Sequence, residues 1–382
     1  MVEVTLGAIA NGGACVARLD GRVVFVRGGV PGERVRIEIT DASKAVWWQG
    51  RVQQVIEPSK DRVTPPCPMA GVCGGCDWQH IGVARQRVLK AQIVEEQFLR
   101  LAKIELHGLV VEAVPGDHDG LGWRTRMRYM VDGGVAGLRG AASHDLAPLP
   151  PGGCRLAAPA PGVTDLAAWG DGELCVTTAK SGVTVWRPQA GVVSGEAIVT
   201  EQACGMDFQV RADGFWQVHP GAADALADAV LTALDPVEQT LAVDLYCGAG
   251  LFAGALNKVG AAVSAIDSDR AAIALARRNV PKAFIAHGRV ERDPWIWQRA
   301  HPELLVLDPP RAGARREVVQ RIVALQPQRV AYVACEPASL ARDVAAFVAG
   351  GYELAGLRAF DIFPMTAHVE CVALLVRREE GR

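Results

Sequence analysis

The chain has 382 residues, of which 50% are hydrophobic and 21% are charged, and its formal net charge at pH 7 is −2. This length allows two or three domains with their own cores, and this composition excludes long disordered regions. The near-zero net charge excludes binding of nucleic acid through bulk charge alone, so any such binding depends on local basic patches.

The cellular setting is indicated by the apolar segments and the cysteines. The sequence contains no run of about 20 apolar residues, which argues against a membrane span. Met1-Val2-Glu3-Val4 lacks the basic and apolar segments of a secretory signal. Ten cysteines in such a chain indicate a reducing compartment, in which clustered cysteines bind metal or perform chemistry. We expect a monomeric cytoplasmic protein without membrane contact.

The first 57 residues alternate apolar and polar positions and are interrupted by pairs of turn-forming residues. This pattern predicts short strands closed into a small β-barrel, a fold that often presents one face to nucleic acid. A proline-rich linker follows at 59–68, and apolar residues at helical spacing predict a helix from about Val83 to Leu101. From about Arg124 to Gln209 the pattern predicts mostly strands and loops.

From about residue 220 onward, helical and strand patterns alternate. The predicted strands are Ala242–Leu245, Val263–Ile266, Leu304–Leu307 and Val330–Val333. A helical pattern between them spans Asp269–Arg278. The alternation predicts an α/β fold with a parallel, doubly wound sheet. The predicted domains are a β-barrel at 1–57, a central domain with the cysteine cluster at 58–215 and a Rossmann-like domain at 216–382.

A glycine-rich turn follows the first of these strands, in Val243-Asp244-Leu245-Tyr246-Cys247-Gly248-Ala249-Gly250. Glycines let the backbone approach a bound nucleoside closely at the start of the next helix. The next strand ends at Asp267, whose carboxylate can accept hydrogen bonds from ribose hydroxyls. Together with Asp308-Pro309-Pro310, this pattern predicts an S-adenosylmethionine site. A nicotinamide site and a turn without ligand are the alternatives, and Ala253 in place of a third glycine counts against the nicotinamide site.

Cys335 follows the fourth strand, at the edge where open α/β sheets bind ligands. The Asp308-Pro309-Pro310 turn ends in Arg311, where enzymes that methylate amines have an aromatic residue, so we predict a different chemistry. Uracil carbon 5 attacks a methyl sulfonium only after a thiolate has added to carbon 6, and a base must then remove the carbon-5 proton. Cys335 is the predicted thiolate and Glu370 the predicted base. The alternatives are that Cys335 is a buried apolar thiol and that Glu370 is a salt-bridge partner.

These motifs resemble those of the RNA 5-methyluridine methyltransferases, in the branch with an N-terminal TRAM barrel and an iron–sulfur cluster. The resemblance covers nearly the whole chain and is carried by Cys67–His80, Asp308–Gly313, Cys335–Asp343 and His368–Glu370. It implies a Rossmann-like S-adenosylmethionine-dependent methyltransferase domain, an OB-like TRAM barrel and a central α+β iron–sulfur domain. It implies Cys335 as nucleophile and Glu370 as proton acceptor. The implied S-adenosylmethionine contacts are Gln217, Tyr246, Asp267 and Asp308, and the implied cluster ligands are Cys67, Cys73, Cys76 and Cys154.

The spacing of the first three of these cysteines is C-x5-C-x2-C, with two glycines that let the loop fold around a metal. Four cysteines suit either a [4Fe–4S] cluster or zinc, and the spacing alone does not separate the two. The resemblance favours the iron–sulfur cluster. Because the methylation requires no electrons, we expect the cluster to order the protein or its RNA.

The sequence departs from the family pattern at five positions. His219 replaces an Asn, Ala334 and Glu336 flank the nucleophile where Ser and Asn are common, Leu251 replaces a polar residue, and Asp267 replaces Glu. The charge of Glu336 beside the thiolate is expected to raise the pKa of the thiol or to alter base recognition. These departures bear on efficiency and target choice rather than on the reaction class.

The implied partner is RNA, with ribosomal RNA slightly favoured over transfer RNA. The target base must be flipped out or presented from a loop to reach the thiolate. The candidate RNA contacts are Arg124, Arg126 and Arg128 on a predicted strand, and Trp47, Trp48, Lys44 and Arg51 on the barrel. Each of them also fits a solvated face or a core. An inactive RNA-binding protein and a redox protein are the competing hypotheses.

Overall fold

The computed structural model describes residues 1–141, 143–293, 297 and 301–378. The last residues of the predicted third domain, 379–382, therefore lie outside the described part. In the part that is described, no helix is long and apolar enough to cross a membrane.

The N-terminal strands form one curled sheet. They are β1 (Val2–Thr5), β2 (Cys15–Leu19), β3 (Arg22–Arg27), β4 (Arg34–Asp41) and β5 (Trp47–Glu57), in the order β1-β4-β5-β3-β2. The chain after β1 meets β2, because the Gly7 amide donates to the Val16 carbonyl at 2.7 Å and the Val16 amide donates to the Ala8 carbonyl at 2.9 Å. Alternate residues of β3 and β4 are buried inside, together with Trp78 and Ile93 from the next segment. The predicted small barrel is confirmed.

The central segment begins with α1 (Val83–Gln97), which continues into a wide turn at Phe98–Ala102 and thereby confirms the predicted helix. A short strand, β6 (Val111–Glu112), follows. The next strands are β7 (Arg126–Asp132), β8 (Val135–Arg139), β9 (Leu146–Pro148), β10 (Gly172–Ala179), β11 (Gly182–Arg187) and β12 (Gly191–Ser194), with a short 3-10 turn at Ala167–Trp169. They form an antiparallel sheet in the order β12-β11-β10-β7-β8-β9. A separate hairpin consists of β13 (Ile198–Ala203) and β14 (Met206–Arg211).

The C-terminal part is a Rossmann-like sheet between helices. Its strands are β15 (Leu241–Leu245), β16 (Ala262–Asp267), β17 (Phe284–His287), β18 (Leu304–Leu307), β19 (Arg329–Ala334), β20 (Tyr352–Phe360) and β21 (Glu370–Arg377). Its helices are α2 (Ala222–Leu234), α3 (Leu251–Lys258), α4 (Arg270–Asn279), α5 (Arg315–Leu325) and α6 (Pro337–Ala349). The strand order is β17-β16-β15-β18-β19-β21-β20-β6. The four predicted strands and the helix at 269–278 are confirmed to within a residue or two at each end.

The predicted parallel sheet is confirmed for the four predicted strands, and one further strand is reversed. β17, β16, β15, β18 and β19 run parallel, whereas β21 runs antiparallel to both β19 and β20. The parallel strands are mostly apolar because helices cover both faces, and all four residues of β18 are buried. The reversal of β21 matters for the site, since it brings the first residue of β21 to the sheet edge where β19 ends.

The boundary at 215/216 stays a prediction, and several contacts cross it. β6 pairs in parallel with β20 at the end of the C-terminal sheet. The α1 residue Lys90 is fully buried and forms an ion pair with Asp361, 2.5 Å away in the loop after β20. The central segment is therefore built into the C-terminal sheet.

Candidate active site

The glycine-rich turn after β15 lies at the carboxyl edge of the parallel strands, where open α/β sheets bind ligands in a crevice. Tyr246, Gly248 and Gly250 all have positive φ, at 65°, 52° and 94°, so the backbone reverses sharply before α3 begins. A Cβ placed on Gly248 would meet no atom within 4 Å. The turn therefore leaves room for a ligand against its backbone, at the N-terminus of α3.

Asp267, at the end of β16, is bonded to this turn. One of its carboxylate oxygens accepts from the Gly248 amide at 2.9 Å, and the other accepts from the Asp269 amide at 2.8 Å. Tyr246 is half-buried nearby, and burial raises the pKa of its phenol above the ordinary value, with Asp267 among the carboxylates that raise it further. The structure thus brings two of the predicted cofactor residues together.

Buried carboxyl groups lie beneath the turn. Asp244 is fully buried, and one of its oxygens accepts from the Ala253 amide at 2.8 Å. Its other oxygen has no hydrogen-bond partner within the part of the chain that is described. Burial raises the pKa of Asp244 well above the ordinary value, and the negative charges of Asp308 and Asp267 raise it further. The predicted residue Asp308, which follows β18, therefore belongs to the same group of carboxyls.

Gln217 comes from a different segment. Its side chain is buried, and the segment is attached to the central sheet because the Val218 carbonyl accepts from both the amide and the hydroxyl of Thr125, each at 2.9 Å. The neighbouring His219 is buried and stacks on Trp123, with ring centroids 6.1 Å apart. The role of Gln217 toward a cofactor stays a prediction.

Cys335 and Glu370 occupy neighbouring strand ends. Cys335 follows β19 and is half-buried, and Glu370 begins β21 and is buried, while the adjacent residues Ala334 and Cys371 pair across the two strands. Burial, and then Glu370 and Asp308, raise the pKa of the Cys335 thiol to about 11, against the opposing effect of Arg311. The predicted nucleophile and base are therefore brought together.

Glu370 and Asp308 share one buried region. Burial raises the pKa of Glu370 well above the ordinary value, and the charge of Asp308 adds to that effect. Burial also raises the pKa of Asp308. Two carboxyls in such proximity do not both ionise easily, so the pair retains a proton to higher pH than an exposed carboxyl does.

The expectation that Glu336 raises the pKa of the thiol or alters base recognition stays a prediction. The Glu336 side chain caps α6 by accepting from the Ala338 amide at 3.4 Å, and it also accepts from the side-chain amide of Asn11 in the barrel at 2.8 Å. The carboxyls that raise the pKa of Cys335 most are Glu370 and then Asp308. The Glu336 carboxylate thus accepts from one backbone amide, as an N-cap, and from one side-chain amide.

Sequence reasoning gave Arg311 no role, yet the structure places its positive charge near the thiol. The loop that carries it is anchored: the Ser339 hydroxyl donates to the Arg311 carbonyl at 3.0 Å, and the Ala314 amide donates to Asp343 at 2.8 Å. Asp343 also accepts from the Tyr332 hydroxyl at 2.6 Å. The signal available in the sequence was the arginine itself, since a cation is the group that stabilises a thiolate.

A second missed set of residues fixes the loop that leads into Glu370. The Met365 carbonyl accepts from the Asp77 and Trp78 amides, each at 3.0 Å, and the Met365 amide donates to Gln86 at 2.9 Å. The buried Lys90 bonds Asp361 in the same loop and also donates to the Phe363 carbonyl at 3.0 Å. The available signal was a glutamine and a lysine on the apolar stripe of α1.

The four predicted metal-binding cysteines line one cavity. Cys67, Cys73, Cys76 and Cys154 all face it as free thiols, with apolar walls that include Leu138. Burial, and then Cys73, Cys154 and Cys67, raise the pKa of Cys76 to about 12, so the sulfurs lie near one another. Among the described residues, no group of three or more His, Cys, Asp or Glu side chains is arranged to hold a metal ion.

The candidate RNA contacts differ in their exposure and in their side-chain partners. Arg126 is mostly buried and forms an ion pair with Glu201 at 3.0 Å, so its expected role at an RNA surface is wrong. Arg128 remains exposed. On the barrel, the Trp48 indole donates to the Lys44 carbonyl at 3.1 Å and lies under the Arg22 guanidinium, 4.9 Å from the ring centre.

Comparison with known proteins identifies two family domains. Residues 298–378 match the family described as tRNA (Uracil-5-)-methyltransferase, and residues 1–46 match the TRAM domain. A solved structure from Pyrococcus abyssi, a tRNA (uracil-54, C5)-methyltransferase in complex with S-adenosyl-L-homocysteine, aligns with a TM-score of 0.75 over 98% of this chain and 100% of that chain, at 22% identity. This likeness establishes the fold.

Full-length relatives match as well. An uncharacterized RNA methyltransferase from Streptomyces avermitilis is 40% identical over 99% of both chains. The 23S rRNA (uracil(1939)-C(5))-methyltransferase RlmD from Edwardsiella ictaluri is 31% identical over 95% of this chain and 92% of its own length. The chain therefore belongs to the RNA uracil-5-methyltransferase family.

Proposed function

We propose that this protein methylates carbon 5 of a uridine in RNA, with Cys335 as nucleophile and Glu370 as proton acceptor. The observation that supports this most strongly is the placement of a half-buried thiol and a buried carboxyl on adjacent strand ends beside Asp308. An inactive RNA-binding protein would not need this pair. A redox protein would not need a thiol at the ligand edge of the sheet.

The reaction begins at the Cys335 sulfur. Its thiolate adds to uracil carbon 6, which forms a sulfur–carbon bond and moves an electron pair toward carbon 5. Arg311 favours the thiolate, since its charge lowers the pKa that burial and the carboxylates raise. S-adenosylmethionine, when bound, would supply an electrophilic methyl group for carbon 5 and would leave as S-adenosylhomocysteine.

Glu370 completes the reaction. Its carboxylate removes the proton from the methylated carbon 5, and the returning electron pair breaks the sulfur–carbon bond and frees Cys335. Burial suits Glu370 to this task because a carboxylate with a raised pKa is a stronger base than an exposed one. The product is 5-methyluridine.

We assign S-adenosylmethionine to the crevice beside the glycine-rich turn. Asp267 would bind the ribose hydroxyls, since its oxygens are already oriented by two backbone amides. The open space over Gly248 admits the nucleoside. The further contacts in this proposal are Tyr246, Asp308 and Gln217.

We propose that Cys67, Cys73, Cys76 and Cys154 hold a [4Fe–4S] cluster. All four thiols line one cavity, as the ligands of a shared metal centre do. Four cysteines suit either this cluster or a zinc ion, and the likeness of their motif to the cluster motif of the family favours the cluster. The cluster would supply cross-links between the segments that carry these cysteines, and no step of the methylation runs through it.

We further propose three domains at 1–57, 58–215 and 216–382, and ribosomal RNA rather than transfer RNA as substrate. The 31% identical relative named for 23S rRNA supports this choice, because the neighbour named for transfer RNA has only 22% identity. A cytoplasmic, monomeric protein is part of the same proposal.

The deciding experiment uses methyl-tritiated S-adenosylmethionine and unmodified ribosomal and transfer RNA, followed by nucleoside analysis. We expect label in 5-methyluridine for the wild type, and none for Cys335→Ala although that variant still binds S-adenosylmethionine. Absence of label with the wild type, despite binding of both S-adenosylmethionine and RNA, would support the inactive RNA-binding protein instead.

A further inference from the structure

A cavity of about 240 Å³ lies on the central sheet, away from the crevice that holds Cys335. Its polar wall consists of Arg124, Arg128, Arg139 and Glu173, and its floor includes Gly74 and Gly75 of the cysteine-bearing loop. Drug-sized ligands occupy pockets of about 300–1,000 Å³. This cavity is somewhat smaller, which suits a single nucleotide unit.

This cavity is more positively charged than the chain as a whole. Three arginines face one carboxylate, whereas the whole sequence carries a net charge of −2. Glu173 forms an ion pair with Arg128 at 3.0 Å, and the Arg128 side chain remains 68% exposed. Arg124 and Arg139 add two further guanidinium groups, and that of Arg139 lies 3.3 Å from a ring nitrogen of His144. Tyr129 and Leu138 provide apolar walls beside them.

The cavity is connected to the cofactor segment and to the cysteines. Thr125, next to Arg124, bonds the carbonyl of Val218, which follows Gln217. On the other side, the Gly74 amide donates to the Arg139 carbonyl at 2.9 Å. A Cβ on Gly74 would lie 3.0 Å from the Gly140 carbonyl oxygen, so a glycine allows this close approach. The loop between Cys73 and Cys76 thus forms part of the cavity.

We propose that this arginine cavity binds a backbone phosphate and its nucleotide in the single-stranded RNA that flanks the target uridine. The inference rests on the proposed RNA substrate. Guanidinium groups bind phosphate with paired donors, and the apolar walls accept the sugar or the base. The cysteine-bearing loop acquires a role here: it shapes an RNA subsite.

The test measures binding of a fluorescent, uridine-containing single-stranded RNA at several KCl concentrations. We expect Arg124→Ala/Arg139→Ala to weaken binding at low salt by about tenfold or more and to reduce the magnitude of the salt slope by roughly 0.7 for each lost phosphate contact. Glu173→Gln should strengthen binding a few-fold, because it removes a negative charge and releases Arg128. A gain in affinity does not arise from misfolding.

The matched control is Arg321→Ala, which removes an exposed arginine that is paired with Glu317 on α5. It should leave affinity and salt slope unchanged. The cavity proposal alone would be overturned if the wild type binds and methylates RNA and the Arg124/Arg139 variant has the same affinity and salt slope. Weaker binding by Glu173→Gln would also overturn it. A wild type that neither binds nor methylates RNA would instead overturn the proposed function.

Discussion

The thiol at the end of β19 and the four thiols around the cysteine cavity differ in their surroundings. Cys335 is half-buried at the sheet edge, and a guanidinium, Arg311, counteracts the burial and the carboxylates that raise the pKa of the thiol. Cys76 faces an apolar cavity, where burial and then the three other thiols raise the pKa to about 12. Only the first setting favours a free thiolate that an RNA base can reach.

This difference explains how cysteine can serve both as a nucleophile and as a metal ligand in one protein. A nucleophile needs access and a nearby protein cation, because its negative charge exists without a metal. Several thiols packed together have mutually unfavourable charges until a metal centre neutralises them. The protein supplies the cation at Cys335, and we expect iron to supply it at the other four thiols.

The largest expected effect is that of Glu370→Gln. The amide accepts no proton, so turnover should fall by roughly 10²–10⁴-fold, while Cys335 still adds to the base. The covalent adduct between protein and RNA should therefore persist, and it can be detected on a denaturing gel and mapped by peptide mass spectrometry. Glu370→Gln/Cys335→Ala is the control and should give no adduct. An adduct on one of the four cavity cysteines would contradict the assignment of Cys335 as the accessible nucleophile.

Cys76→Ser tests the proposed metal-binding role of the four cavity cysteines. We expect the purified protein to lose iron and sulfide, and its melting temperature to fall by about 5 °C or more, because metal binding contributes to folding. Cys175→Ser is a suitable control, since Cys175 is a buried thiol on β10 and is not among the residues lining the cysteine cavity. Retention of full iron by Cys76→Ser, or zinc in place of iron in the wild type, would refute the proposed cluster.

The sequence predicted the strands and the positions at their ends, because apolar runs and helical spacing are local signals. β18 and β19, followed by Asp308 and Cys335, lie where these signals put them. The contacts that orient the site are not local. Lys90 pairs with Asp361 across 271 positions, and Asn11 bonds Glu336 across 325. Periodicity gives no information about such pairs, so the sequence did not predict that Glu336 bonds Asn11.

A smaller effect is expected from Arg311→Ala. Below the thiol pKa of about 11, the thiolate fraction rises with pH, so alkylation of Cys335 by iodoacetamide should accelerate from pH 7 upward and level off above about pH 11. Because Arg311 lowers this pKa, its loss moves the curve to higher pH and slows alkylation at pH 8 by roughly threefold or more. Arg311→Lys should retain most of the wild-type rate. Quantification of the alkylated Cys335 peptide separates this thiol from the others. Identical alkylation curves for Arg311→Ala and the wild type would exclude an electrostatic role of Arg311.

The smallest effect is expected from Glu336→Gln. Its charge caps α6 and bonds Asn11, so the loss should reduce the free energy of unfolding by about 0.3–1 kcal/mol in urea titrations. The alkylation curve of Cys335 should shift less than in Glu370→Gln, since Glu370 and Asp308 are the carboxyls that raise the pKa of the thiol most. Glu370→Gln should move that curve to lower pH because it removes the leading carboxylate. Equal shifts in the two variants would show that the charge beside the nucleophile governs the pKa of the thiol as strongly as Glu370 does.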